Sequence, residues 1–216
     1  MKKLVIFDLD GTLLNTIADL AQSANYALGK LGYPVRAEDE CRSFVGNGVN
    51  RLLERALPDG AKTPENVAKL KTEFMAHYDA HNADLTVPYP GVETLLKTLD
   101  QLNVKMAVLS NKYQTATEKL VKHYFPQIPF ASVIGQREDR PVKPNPMGVE
   151  EILSATGFNK NDALYVGDSD VDIQTARNAG VSVCAVSWGF RDRSVLEAHA
   201  PDFIADSPLE ILTMIR

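Results

Sequence analysis

The stretch MKKLVIFDLDGTLLNT (residues 1–16) joins a short apolar run, Leu4–Phe7, to two aspartates one residue apart and then to Gly11 and Thr12. The run predicts a buried strand, and the two-residue repeat of a strand sets Asp8 and Asp10 on one face at its C-terminal end. Crowded carboxylates repel, so the arrangement points to a cation, a shared proton or a chemical task. Asp and Gly after a strand also make an ordinary turn and helix cap. The surrounding pattern has to decide.

That pattern repeats along the chain. VKMAVLSN (104–111), ALYVGDSD (163–170), VSVCAVSWG (181–189) and, more weakly, FIADSP (203–208) are apolar runs closed by small or polar residues. Helical stretches lie between them at 113–124, 146–156 and 171–179. Strands alternating with helices predict an α/β fold, a mostly parallel sheet covered on both faces. Ligands of such sheets bind beyond the carboxyl ends of the strands, where Asp8, Ser110 and Asp168 fall. Residues 15–85 break the alternation. They hold no convincing strand, and Ile17, Leu20, Ala24, Ala27 and Leu31, then Val67, Leu70, Phe74 and Tyr78, recur at helical spacing. The expected organisation is a core of residues 1–14 and 86–216 with an inserted α-helical unit at 15–85. Its entry at Leu14–Asn15 and exit at 88–91 are the expected hinges.

With 44% hydrophobic and 24% charged residues in 216, the chain can bury a sizeable core. The net charge of −5 and the scattered lysines and arginines argue against nucleic acid as a partner. Cys41 and Cys184 match no metal-ligand spacing and read as reduced thiols. No apolar segment approaches the length of a membrane span, so a cytoplasmic protein without membrane partners is expected.

A second acidic cluster, GDSDVDIQTARNAG (167–180), places Asp168, Asp170 and Asp172 after another predicted strand. Hard oxygen ligands from two strand ends suit Mg²⁺. Capping by Asp168 or Ser169 is the plainer reading, yet capping does not call for three acids in five residues. Lys143, in RPVKPNP, sits in a loop stiffened by prolines and is the fixed cation that so acidic a site needs to bind an anion. Ser110 and Asn111 end a strand, where they either bind phosphate oxygens or cap the next helix. In FVGNGVNRLLERAL (44–57) a glycine-flexed turn opens a helix with Arg51 in its first turns, a surface charge or a bidentate grip on a substrate anion. GNG lacks the preceding strand of a dinucleotide loop. Glu73, His77 and His81 fit a solvated helix face better than a metal site, and Trp188 is expected to pack against or border the site.

DLDGT at 8–12, the strand-ending Ser110, Lys143 before a proline and GDSDVD at 167–172 resemble, in order and spacing, the haloacid dehalogenase-like phosphohydrolases. The resemblance spans nearly the whole chain, and the combination is far more specific than any piece. It implies a Rossmann-like core with a helical cap inserted after the first strand. It further implies Asp8 as nucleophile, Asp10 as general acid/base, and Thr12, Ser110, Asn111 and Lys143 around the phosphate. Mg²⁺ would be held by Asp8, the Asp10 carbonyl and Asp168, with Asp172 orienting that shell. The cap stretch with Arg51 and the hinge PYPGV look most like those of phosphoglycolate phosphatases, implying 2-phosphoglycolate, a small phosphorylated metabolite, as substrate and a monomer or homodimer.

Related pyrophosphatases and sugar-phosphate phosphatases share much of this pattern. Phosphomutases resembling this core carry a histidine where this chain has Leu20, and dehalogenase chemistry needs neither Asp10 nor a metal. A non-hydrolytic phosphoacceptor or binding module has no need of the second acid.

Overall fold

The computed structural model describes residues 1–215. In chain order its strands are β1 (Leu4–Phe7), β2 (Leu14–Asn15), β3 (Val87–Pro88), β4 (Lys105–Tyr113), β5 (Phe130–Gln136), β6 (Ala163–Gly167), β7 (Ser182–Val186) and β8 (Phe203–Ala205). The helices are α1 (Ile17–Lys30), α2 (Glu38–Phe44), α3 (Val49–Ala56), α4 (Pro64–His81), α5 (Val92–Gln101), α6 (Gln114–Tyr124), α7 (Met147–Thr156), α8 (Asp170–Ala179), α9 (Arg193–Ala198) and α10 (Ile211–Met214).

Six strands form one parallel sheet in the order β5-β4-β1-β6-β7-β8. All four residues of β1 are buried, as a parallel strand covered on both faces requires. Val5 and Phe7 pack with Leu95, Leu96 and Leu99 of α5 and Leu120 of α6. Leu4 and Ile6 pack on the opposite face with Val149 and Ile152 of α7 and Ile173 of α8. From β1 the chain builds outward to β4 and β5 on one side and to β6, β7 and β8 on the other. The order reverses at β1, so the crevice above its C-terminal end is the topological switch point.

Three details differ from the sequence reading. Phe130–Gln136 forms an edge strand that the apolar pattern does not announce, because Ser132 and Gly135 interrupt it and only Ile134 and Gly135 are buried. β4 runs two residues past Asn111 and carries Lys112 into the interior. β1 stops at Phe7, so Asp8 and Asp10 lie in a loop rather than on a strand face. There the N–H of Asp8 still donates to the carbonyl of Val166 (2.9 Å), whereas the N–H groups of Leu13 and Leu14 turn back to the carbonyl of Leu9 (both 3.0 Å).

Helices α1 to α4 pack around a separate apolar cluster that includes Leu20, Leu53, Phe74 and Tyr78, closed from the sheet side by Ala116 and Phe190. The chain enters and leaves this helical unit through the two-residue ladder of β2 and β3. Beside that ladder, the buried Asp19 of α1 accepts hydrogen bonds from the N–H groups of Leu85 and Thr86 (3.0 and 2.8 Å) and the Thr86 hydroxyl (2.7 Å). Cys41 and Cys184 are buried free thiols, and no helix among the described residues is long and apolar enough to cross a membrane.

Among the described residues, Asp19 is the one charged side chain binding the exit segment to α1. Asp19→Ala is expected to cost about 2–4 kcal/mol in urea unfolding, because buried N–H groups lose a charged acceptor. Asp19→Asn should recover part of that loss.

Candidate active site

The acids meet at the switch point. Asp8 comes from the loop after β1, Asp168 from the end of β6, and Asp172 from the first turn of α8. One carboxylate oxygen of each lies within 4.8 Å of the others, and all three residues are buried. Asp172 has no free oxygen. Its Oδ1 accepts from Lys143 Nζ (2.7 Å) and the Tyr165 hydroxyl (3.1 Å), its Oδ2 from the Ser169 N–H (3.1 Å) and hydroxyl (2.5 Å). It therefore orients its neighbours.

Lys143 is buried and bridges Asp172 to Asp8, with Nζ 3.0 Å from Asp8 Oδ1. Burial alone would lower its pKa, but Asp172 and Asp8 reverse that and hold the ammonium well above the usual lysine value. Asp8 Oδ1 also accepts from the N–H of Leu9 (2.7 Å), leaving Oδ2 without a protein partner among the described residues. Burial, then the charge of Asp172, pushes the Asp8 carboxyl up to about 7 against the opposing pull of Lys143. Burial and the charges of Asp172 and Asp8 likewise raise Asp168. Carboxyls lifted by crowding gain from a cation placed between them.

The loops let Asp168 approach that closely because two of their residues lack a side chain. Gly11, at φ +84°, would put a Cβ 2.2 Å from Asp168 Oδ2, and a Cβ on Gly189 would fall 2.2 Å from the Asp168 Cβ and 2.5 Å from the Gly11 carbonyl. Asp168 Oδ2 accepts from the N–H of Phe190 (2.6 Å). The donor set is therefore all oxygen, buried and carboxylate-rich. These residues fit a Mg²⁺ ion.

Asp10 faces a different environment. Its Oδ1 accepts from the Thr16 hydroxyl (2.7 Å) and lies 3.1 Å from Lys112 Nζ, and its Oδ2 has no protein partner among the described residues. Lys112 in turn donates to the hydroxyl of Tyr78 in α4 (2.7 Å). Asp8, Asp10, Asp168, Ser110 and Lys112 line one pocket whose remaining walls include Leu20, Val45, Val49, Leu52 and Phe74 of the helical unit.

Two expected phosphate or substrate contacts are placed otherwise. Asn111 also borders the pocket, yet its amide is spent on backbone: Nδ2 donates to the carbonyls of Gly46 (3.0 Å) and Lys143 (3.1 Å), and Oδ1 accepts from the Lys143 N–H (2.8 Å). With both amide protons used, Asn111 fixes the Lys143 loop. Arg51 is exposed, pairs with Glu54 (2.6 Å) and lines an outer groove beside Lys143 and Pro144, not the pocket. It stays outside because the buried face of α3 belongs to Leu52, Leu53 and Ala56.

Ser110 lines the pocket and accepts from the N–H of Lys112 (3.2 Å). The Thr12 hydroxyl is buried without a protein partner among the described residues, while the Thr12 carbonyl accepts from the Trp188 indole (3.0 Å). His77 bonds Ser23 and His81 bonds Asp84, so these histidines serve α4 and its surroundings. Lys112, Thr16 and Arg191 are absent from the sequence reading. For Lys112 a signal exists, because positions 110 and 112 share one face of a strand.

The profile of the haloacid dehalogenase-like hydrolase family matches residues 5–186. A phosphoglycolate phosphatase of Vibrio parahaemolyticus is 33% identical over 99% of this chain and 96% of its own length. A phosphoglycolate phosphatase of Pasteurella multocida is 32% identical, covering 99% of this chain and 98% of its own length. The crystal structure of a Lactobacillus delbrueckii subsp. bulgaricus protein, 34% identical, superposes with a TM-score of 0.94 over 100% of this chain and 99% of that one. The sheet order, the acids at its switch point and these full-length relatives agree, and the chain belongs to the haloacid dehalogenase-like hydrolases.

Proposed function

We propose that this phosphatase hydrolyses a small phosphomonoester, 2-phosphoglycolate foremost, in two steps that use Asp8 and Asp10 differently. The observation that carries the reading is the separate surroundings of the two acids. Asp8 is held by Lys143 with one oxygen free, and Asp10 by Thr16 and Lys112 with one oxygen free.

In the first step Asp8 Oδ2 attacks phosphorus, the phosphorus–oxygen bond of the ester breaks, and Asp10 delivers a proton to the leaving alkoxide. In the second, Asp10 takes a proton from water as the water oxygen attacks the same phosphorus. The bond to Asp8 breaks, freeing inorganic phosphate and restoring the carboxylate. Lys143 offsets the repulsion between an anionic nucleophile and an anionic substrate, and Ser110 offers its hydroxyl to a phosphate oxygen. Asp8, Asp168 and the main-chain carbonyl of Asp10 would hold Mg²⁺, which when bound supplies charge stabilisation at the phosphoryl oxygens.

Helices α1 to α4 serve as the cap over this chemistry, supported by their contribution of the apolar pocket walls and by the β2–β3 ladder at their base. The names of the full-length relatives support 2-phosphoglycolate. Leu20, at the position where phosphomutases carry a histidine, lines the pocket as an apolar side chain and so favours hydrolysis over transfer.

Phosphate release measured across 2-phosphoglycolate, pyrophosphate and sugar phosphates tests the substrate, and a higher kcat/KM for either of the latter would overturn it. Asp8→Asn should keep its circular dichroism spectrum and lose on the order of 10³-fold or more in turnover. Near-normal turnover would remove Asp8 from the nucleophile's role.

Metal binding has its own readout. The folded Asp8 pKa of about 7 lies above its ordinary value of 3.8, so between about pH 4 and 7 the metal-free folded state holds more protons than the unfolded chain. The contribution of Asp8 to the stability of the metal-free protein therefore falls as pH rises through that window. A cation that needs the ionised carboxylates should raise Tm more near pH 8 than near pH 5. Gly189→Ala, which drives a Cβ into Asp168, should weaken that Mg²⁺-dependent rise in Tm and raise the Mg²⁺ concentration needed for half-maximal activity.

A further inference from the structure

The pocket is lined by two cationic side chains among the described residues, Lys112 and Arg191. Arg191 is committed elsewhere. Its guanidinium donates to the carbonyls of Val45 (2.6 Å) and Arg42 (3.2 Å) and lies 3.4 Å from Asp170, tying the loop after β7 to the helical unit. Lys112 is different. A lysine ammonium has three donors, and two are accounted for, by the Tyr78 hydroxyl at 2.7 Å and Asp10 Oδ1 at 3.1 Å. The Tyr78 ring, 4.7 Å from Nζ, holds the ammonium from one side. The third donor has no protein partner among the described residues, and the side chain borders the pocket.

The position of Lys112 follows the substrate's own geometry. In the proposed reaction the ester oxygen must come within hydrogen-bond reach of Asp10. A carboxylate on the carbon next to that oxygen lies only two carbon atoms away, each bond about 1.5 Å long. Lys112, which touches Asp10, keeps a donor to give and lines the same pocket, is therefore the side chain placed to meet such a carboxylate. On the helical-unit side the pocket's side chains are the apolar Leu20, Val45, Val49, Leu52 and Phe74 together with Tyr78, while Gly46 and Gly48 present backbone alone, so Lys112 is the uncommitted side-chain cation of this lining among the described residues.

We propose that Lys112 is the specificity-determining residue of this enzyme, its Nζ binding the carboxylate of the leaving group, so that the site selects phosphate monoesters of 2-hydroxy carboxylic acids. Tyr78, reaching in from α4, positions the ammonium. The assignment rests on the reading of Asp10 as proton donor and deepens the choice of substrate class.

The test compares 2-phosphoglycolate with ethyl phosphate, which has the same two-carbon skeleton without the carboxylate. The kcat/KM ratio of the two substrates is measured for the parent enzyme, Lys112→Met and Lys112→Arg. The parent should favour 2-phosphoglycolate, Lys112→Met should compress the ratio by about 10- to 150-fold, the worth of a hydrogen bond to a charged group, and Lys112→Arg should keep part of it. A parent enzyme that does not distinguish the substrates overturns the 2-phosphoglycolate reading, and the anchor with it. A selective parent whose ratio survives in Lys112→Met overturns the anchor alone. If Lys112→Met is too slow to assay, calorimetric binding of both esters to Asp8→Asn and to Asp8→Asn/Lys112→Met gives the same comparison without turnover. Equal Kd ratios in those two proteins would reject the anchor.

Discussion

The site depends on one buried ammonium. Lys143 stands between Asp8 and Asp172, and without it three buried carboxylates would face one another across less than the width of a side chain. Taking a charge out of water costs several kcal/mol, and the cost is recovered only where geometry and hydrogen bonding are nearly complete. Here they are complete on one side and left incomplete on the other. Asp172 makes four hydrogen bonds, whereas Asp8 keeps one oxygen open toward the pocket. The same lysine thus stabilises the cluster and leaves Asp8, the proposed nucleophile, available.

The Lys143 loop owes its position to Asn111, which grips the loop's backbone by donor and acceptor together and reaches Gly46 of the helical unit with its second amide proton. The next residue, Lys112, ties Asp10 to Tyr78. One end of β4 therefore sets the Lys143 loop, Asp10 and the Tyr78 wall of the pocket. A mutation at this strand end would disturb all three, and their effects would not be additive.

What is readable in the sequence follows from how local the signal is. Leu4–Phe7, 163–167 and 183–186 are buried on both faces and read as continuous apolar runs, so the parallel core is evident. The acids read equally well because they stand beside glycines at strand ends. β5 hides because an edge strand needs apolar residues on one face only. Asp19 hides for another reason: an acid in the first turn of a helix is ordinary, and nothing nearby reveals that it caps a segment 66 residues away. Arg51 looks like a ligand because arginine at a helix start suits anions, yet the burial of Leu52 and Leu53 turns that position outward. Side-chain direction on a short helix is decided by packing with distant elements, and local sequence does not contain it.

The pocket's closure carries a consequence for turnover. The contacts across its mouth come from opposite sides: Arg191 to Val45 and Arg42, Asn111 to Gly46, Lys112 to Tyr78. Three of these end on backbone carbonyls, those of Arg42, Val45 and Gly46, at the C-terminal end of α2 and the glycine turn after it. In the proposed role of a cap, opening the helical unit means breaking these contacts and those of Tyr113 and Lys119 with Asp79, and parting Phe190 from its apolar cluster, while the β2–β3 ladder and Asp19 hold the base. Net polar contacts contribute only about 0.5–1.5 kcal/mol each, so the closed state is favoured without being locked. Such a balance suits the proposed reaction, in which water is excluded while Asp8 attacks, one water is admitted for the second step, and both products are then released.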